Sequence, residues 1–125
     1  MRLIRMAEKA MRNAIAPYSR FKVGVAIIAK NGKIYSGCNI ENASLVLSVC
    51  AERVAIFNAL SNGERSFKAM AIVANDRDYC YPCGACRQLL WDFAKNLEIY
   101  LKSEMGIKKF TIKEFLPHAF SKDFA

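Results

Sequence analysis

Cys50-Ala51-Glu52-Arg53 and, later in the chain, Pro82-Cys83-Gly84-Ala85-Cys86 are the two stretches that decide how this sequence reads. Each alone is a weak signal. Together they offer three thiols for a metal and one carboxylate that need not be a ligand. A catalytic zinc keeps three protein ligands and leaves the fourth tetrahedral position open to water. Cys50, Cys83 and Cys86 supply three, and the single histidine, His118, lies far downstream beside Pro117. On a helix Glu52 points about 200° away from Cys50. It would miss the metal yet reach a water beside it. Without the other cysteines, Glu52 would read as a helix-start carboxylate stabilised by the dipole.

Working outward, Ser48 is positioned to cap a helix that begins at Cys50 and runs to about residue 61. Val54, Ala55, Ile56, Phe57, Ala59 and Leu60 leave that helix almost no polar face, the pattern of a helix covered on all sides. Asn62-Gly63 ends it. Residues 67–74 form a near-continuous apolar run, read as a buried strand. Cys83 opens a second helix reaching about residue 95, and residues 97–101 and 107–112 read as short strands. Thr111 and Glu114 match a capping box for a short last helix. Upstream, residues 3–15 carry a helical apolar stripe that stops before Pro17. Residues 21–29 and 33–38 read as strands joined at Asn31-Gly32, a strong hairpin signal. Both thiol clusters therefore fall at helix starts, where free N–H groups and positive partial charge suit thiolates. Strands interleaved with helices argue for an α/β layered domain, and the hairpin makes its sheet mixed.

The chain has 125 residues, 54% of them hydrophobic, which suits one domain spanning 1–125 with its own core. No apolar run approaches membrane-spanning length, and the charged start lacks a signal core, so a cytoplasmic protein is expected. Five cysteines with three in a metal-like arrangement make a disulfide framework a poor reading. Cys38 and Cys80 are left over as small packing residues. The net charge of +8 invites a nucleic-acid partner, but the cations (Arg2, Arg5, Lys9, Arg12, Lys22, Lys30, Lys33, Lys108, Lys109) contain no block of five or six. The expectation is a solvated basic surface with no nucleic-acid or membrane partner.

A three-cysteine site, a non-ligand Glu and Pro-Cys-x-x-Cys are the marks of the zinc deaminases. Beyond them the sequence resembles the small homotetrameric cytidine deaminase family. The resemblance covers nearly the whole chain through Tyr18-Ser19-Arg20-Phe21-Lys22-Val23-Gly24, Asn39-Ile40-Glu41-Asn42-Ala43, the two thiol stretches extended through Arg87-Gln88, and Leu116-Pro117-His118-Ala119-Phe120. It implies a three-layer α/β/α sandwich with a five-stranded mixed sheet, and one Zn²⁺ per chain on Cys50, Cys83 and Cys86. Glu52 becomes the proton shuttle for hydrolytic deamination of cytidine and deoxycytidine. Phe21, Asn39, Glu41, Ala51 and Phe120 become substrate-binding residues, with Phe120 reaching into its own or a neighbouring subunit's pocket. Arg53 and Gln88 would stand behind the ligands. Taken as residues alone, Asn39 and Glu41 read as ordinary turn residues and Phe21 as a core one. Where the family often has a tyrosine, this chain has Leu45. A deaminase acting on single-stranded nucleic acid and a non-enzymatic zinc module are the competing readings. The polar-faceless helix after Cys50 predicts a homo-oligomer, and the resemblance sharpens this to a tetramer.

Overall fold

In the computed structural model, which describes residues 1–121, a five-stranded sheet carries helices on both faces. The chain order is α1 (Arg2–Met11), β1 (Val23–Ala29), β2 (Ile34–Cys38), α2 (Ala51–Ser61), β3 (Phe67–Ala74), α3 (Gly84–Phe93), β4 (Glu98–Ser103), β5 (Gly106–Thr111) and α4 (Ile112–Phe115). The strands lie in the order β2-β1-β3-β4-β5. β1 pairs antiparallel with β2 and β3, β4 pairs antiparallel with β5, and only β3 and β4 run parallel. That one parallel pair needs a crossover, and α3 supplies it. The sheet is mixed and the arrangement has three layers, as expected.

Both faces of the central strands are buried, which is why β1 and β3 read as continuous apolar runs rather than alternating ones. On one face Leu3, Ile4 and Ala7 of α1 pack on Ala26, Ala69, Ala71 and Val73. On the other, Ala55, Ile56 and Ala59 of α2 and Leu90 of α3 pack on Val25, Ile27, Met70, Ile72, Ile99 and Leu101. Each large aliphatic side chain so buried contributes roughly 1.5–3 kcal/mol. Two glycines set how closely the layers approach. A Cβ at Gly37 would meet Ala55 N at 2.5 Å, and one at Gly24 would collide with the Ala7 carbonyl of α1. The glycines let α2 lie directly on β2 and α1 directly on β1.

Two local expectations need correction. α1 ends at Met11, four residues before the predicted limit. The chain leaves the helix so that Ile15 can bridge to Ile40, its amide donating to Asn39 O and its carbonyl accepting from Glu41 N. Ser48 does not cap α2. Cys50 is the N-cap, and the Ser48 hydroxyl accepts instead from Asn42 N at 2.9 Å. Within one chain α2 leaves Phe57 47% exposed, the uncovered apolar surface on which the oligomer expectation rests. The Thr111–Glu114 capping box is formed as expected.

Candidate active site

α2 leads into the start of β3 and α3 follows its end, so the N-termini of α2 and α3 lie side by side past the same end of β3. Cys50 and Cys83 are the N-cap residues of those helices, both with extended backbone. Cys86 lies one turn into α3, fully buried, and its amide donates to the Cys83 sulfur at 3.5 Å. The Cys83 and Cys86 sulfurs are 3.4 Å apart and the Cys50 and Cys83 sulfurs 4.0 Å. All three lie within 4.8 Å of one another. Zinc–sulfur bonds of about 2.3 Å at tetrahedral angles put sulfurs roughly 3.8 Å apart, so this triangle is the right size for zinc. Among the described residues no other His, Cys, Asp or Glu joins the cluster. His118 is exposed and lies apart from it.

The electrostatics of the triangle are those of a cation site. The nearby Cys86 thiol holds the Cys50 thiol down at about 5, assisted by Arg53 against the opposing effect of burial. The same proximity pushes the Cys86 thiol up, since two neighbouring sulfurs do not both ionise readily without a cation between them. Arg53 donates from Nη2 to Cys50 Sγ at 3.6 Å. Cys80 differs: burial, with Glu52 close by, pushes its thiol up to about 12, so it faces the site as a neutral group.

Glu52, at the second position of α2, is 5% exposed and is the only buried carboxylate among the described residues. Burial is the main cause that raises its carboxyl above the usual range, with the charge on Cys50 adding to it. A buried carboxyl without a cationic salt-bridge partner costs stability, so its position points to chemistry rather than folding.

A cavity of about 430 Å³ opens over these groups, lined by Phe21, Asn39, Glu41, Cys50, Ala51, Glu52, Arg53 and Cys83 together with several neighbours. It falls within the ordinary range for small-molecule pockets, about 300–1,000 Å³. Asn39 and Glu41 line it while holding its wall together. Asn39 Oδ1 accepts from Val23 N at 2.8 Å and its Nδ2 donates to Phe21 O at 2.7 Å. Glu41 accepts from the amides of Tyr18 at 3.0 Å and Ser19 at 3.1 Å, and from the Ser19 hydroxyl in a short contact. The Ser19 hydroxyl and these amides hold the Glu41 carboxyl below its usual range.

Phe21 is thus fixed from one side by Asn39. From the other, Asn75 accepts from Lys22 N at 2.9 Å and donates to Arg20 O at 3.1 Å. Arg20 has φ 60, a left-handed conformation that a non-glycine residue adopts only when its surroundings enforce it. Here Asn75 and the bond from Arg20 N to Ala16 O do so. Sequence reasoning misses Asn75, because nothing local marks an asparagine at a strand end as a clamp on a distant loop. It also misses the role of Arg87, which donates to Pro82 O at 2.7 Å and Phe115 O at 3.1 Å and lies over the Phe115 ring. Arg87 ties the thiol loop to α4.

Two expected site residues stand elsewhere. Gln88 makes its hydrogen bonds to Asp92 and to the Phe120 carbonyl at 2.8 Å, not to a sulfur, because it sits on the side of α3 that faces the C-terminal segment. Phe120 is 71% exposed and is not among the residues lining the cavity of its own chain. Leu45, at the position of the family's frequent tyrosine, lies on a short 3₁₀ turn at the cavity rim and is 77% exposed.

Comparison with known proteins agrees with this geometry. The family described as the cytidine and deoxycytidylate deaminase zinc-binding region matches residues 1–101. A cytidine deaminase of Sporosarcina psychrophila is 47% identical over 124 residues, covering 98% of this chain and 91% of its own. One from Halalkalibacterium halodurans is 44% identical, covering 97% and 93% respectively. A crystal structure of cytidine deaminase from Burkholderia pseudomallei superposes with a TM-score of 0.91 at 42% identity, covering 95% of this chain and 97% of that one. With its three sulfurs sized for zinc and a buried glutamate beside them, the chain belongs to the cytidine and deoxycytidylate deaminase family.

Proposed function

We propose that this chain hydrolyses cytidine and deoxycytidine to uridine and deoxyuridine with release of ammonia, as a single domain over residues 1–125. The observation that carries the reading is Glu52, a buried carboxyl at the floor of a nucleoside-sized cavity beside three converging sulfurs. Cys50, Cys83 and Cys86 would hold the zinc, which when bound supplies the Lewis acidity that activates the attacking water. The rest is done by the chain. Glu52 accepts a proton from that water and passes it to ring N3, which makes C4 electrophilic. The C4–O bond forms, Glu52 takes the remaining proton from the new C4 hydroxyl and delivers it to the amine, and the C4–N bond breaks to leave the C4 carbonyl and ammonia. Burial keeps the Glu52 carboxyl basic enough for both transfers, the usual way a carboxylate is tuned for such work.

Phe21 presents its ring to the cavity from a backbone fixed by Asn39 and Asn75, which suits packing on a pyrimidine or its sugar. Asn39, Glu41 and Ala51 complete the wall against which the sugar would sit. A homo-oligomer, as a tetramer, is supported by Phe57, exposed on the outward side of α2, and a free nucleoside is the substrate. No described helix is long and apolar enough to cross a membrane. Unpaired thiols fit a reducing, cytoplasmic setting. The test is ammonia release from a panel of cytosine and adenine nucleosides and a cytosine-containing oligonucleotide. Turnover confined to cytidine and deoxycytidine is expected. Turnover of the oligonucleotide alone, or none with zinc bound, would refute the reading.

A further inference from the structure

Along the chain the cations are scattered, but α1 gathers four of them. Arg2, Arg5, Lys9 and Arg12 are all exposed. At 100° per residue they fall within about 80° of one another around the axis and span roughly 15 Å along it. The helix continues in right-handed geometry through Arg12, so the last of the four keeps its place on the line. The only acidic residue of α1, Glu8, is paired with Lys102 of β4 at 3.2 Å, which neutralises it at the flank of the row. Among the described residues none of the four cations takes part in an ion pair or a side-chain hydrogen bond.

Helix stability does not account for this row. Arg2 stands in the first turn, which has no acidic residue, at the positive end of the helix dipole where a cation is unfavourable. Arg2–Arg5, Arg5–Lys9 and Lys9–Arg12 are like-charge neighbours at spacings of three and four residues, which repel. Lys9 and Arg12, at the C-terminal end, are favoured by the dipole, but the row as a whole is self-repelling, and an anion laid along it would relieve that repulsion.

We propose that the outer face of α1 binds the phosphodiester backbone of a nucleic acid, without reading sequence. A row of cations one turn apart suits a linear polyanion, whose affinity comes from counterion release rather than base contacts. An anionic membrane is the poorer match. An interfacial helix must insert its apolar face, and here Leu3, Ile4, Ala7 and Ala10 are buried against the protein. The row lies on the sheet face opposite α2 and α3, so a bound strand does not enter the cavity over the three sulfurs. Binding is therefore separate from deamination and goes beyond the proposed activity.

The probes are fluorescein-labelled 20-mers of uridine and of thymidine, which carry no amine for the active site to act on. Fluorescence anisotropy with the zinc-loaded full chain should show binding that weakens steeply between about 50 and 200 mM salt. The RNA and DNA arms tell whether the sugar matters to the shared backbone contact. A variant with Arg2→Gln, Arg5→Gln, Lys9→Gln and Arg12→Gln keeps good helix formers on exposed positions. Its affinity should fall more than about tenfold at low salt, and the slope of log K against log salt should flatten by about 3. Unchanged nucleoside turnover shows that it is folded. A second variant, with Lys33→Gln, Lys68→Gln, Arg77→Gln and Lys113→Gln, loses the same charge from other exposed positions and should bind nearly as the parent does. Equal weakening in both variants would reduce the effect to net charge and overturn the proposal. So would the absence of oligonucleotide binding, or capture only by phosphatidylserine vesicles.

Discussion

Arg53 Nη2 donates to Cys50 Sγ at 3.6 Å, while Arg53 Nε is buried with no partner. The guanidinium is therefore held at the sulfur triangle at some cost, and among the described residues it is the cation bonded to a sulfur of the triangle, placed to offset the charge of three thiolates. Two thiolates balance the charge of Zn²⁺; the third leaves the site anionic and weakens the metal's pull on a ligand. Arg53→Ala should lower zinc affinity or activity by roughly 10–100-fold, the usual effect of removing a group that orients a ligand. Zinc retained during titration with a chelator, together with kcat/KM, measures this. Wild-type values for both would mean that Arg53 plays no part at the metal site.

Metal content should be one zinc per chain, lost in each of Cys50→Ala, Cys83→Ala and Cys86→Ala and kept in Cys38→Ala and Cys80→Ala. The contrast between Cys80 and Cys83 is the informative one, since both line the cavity. Cys80 nevertheless lies outside the group of three sulfurs that all come within 4.8 Å of one another. Elemental analysis of the five purified variants decides it. Full occupancy in any of the first three would remove that residue from the ligand set.

Glu52→Gln should keep zinc and fold while losing about 10²–10⁴ in kcat, the range for a general acid–base group. The amide is nearly isosteric and removes the buried charge. Thermal stability should therefore hold or rise as activity falls, a combination that a purely structural role for Glu52 does not produce. Near-normal turnover in zinc-replete Glu52→Gln would falsify the proton-shuttle assignment.

The ligand triangle is legible in the sequence because cysteines at helix starts leave a local signature, and the apolar residues running on from Cys50 and Cys83 mark those helices. The paired central strands are legible for a similar reason, since burial on both faces writes an unbroken apolar run. What escapes are contacts between segments distant along the chain. Asn39 bonds to Phe21 and Val23, Glu41 to Tyr18 and Ser19, and Asn75 to Arg20 and Lys22, each across a gap that no periodicity records. Ser48 reads as a cap because the capping preference is local, whereas its actual partner, Asn42, is fixed by the loop's return onto Val49. Gln88 reads as a support for the ligands because the family motif groups it with them, while helical rotation turns it toward the tail.

Gly37→Ala should destabilise the protein even though a methyl is sterically minor in most strands. The added carbon would meet Ala55 N at 2.5 Å, Val54 Cβ at 2.8 Å and Ala51 O at 2.9 Å, all belonging to α2. Two of those three atoms are backbone, so the helix must shift as a body. Overpacking of this kind costs about 1–3 kcal/mol. Because α2 carries Cys50, Glu52 and Arg53, zinc affinity should fall with stability. Urea unfolding of the zinc-loaded protein and chelator titration test the coupling. A stable variant with weakened zinc, or the reverse, would show that the helix and the site are not rigidly joined.

Phe120 is held through its carbonyl by Gln88, yet its ring is 71% exposed and lies outside the cavity of its own chain. An aromatic ring so placed either anchors the tail or serves a neighbouring copy brought up by the outward face of α2. Stacking of a base on an aromatic ring is worth about 1–3 kcal/mol. If Phe120 serves a neighbour, Phe120→Ala should raise KM about tenfold, within that stacking range, with zinc content and assembly unchanged. Mixing separates the two placements. Phe120→Ala chains retain Glu52, and Glu52→Gln chains retain Phe120. When the two are unfolded and reassembled together, sites that draw Glu52 from one chain and Phe120 from the other recover the normal KM. That recovery is expected. If mixed assemblies show only the raised KM of the Phe120→Ala parent, the ring acts within its own chain, and a monomer that is stable and fully active by sedimentation would exclude the shared site altogether.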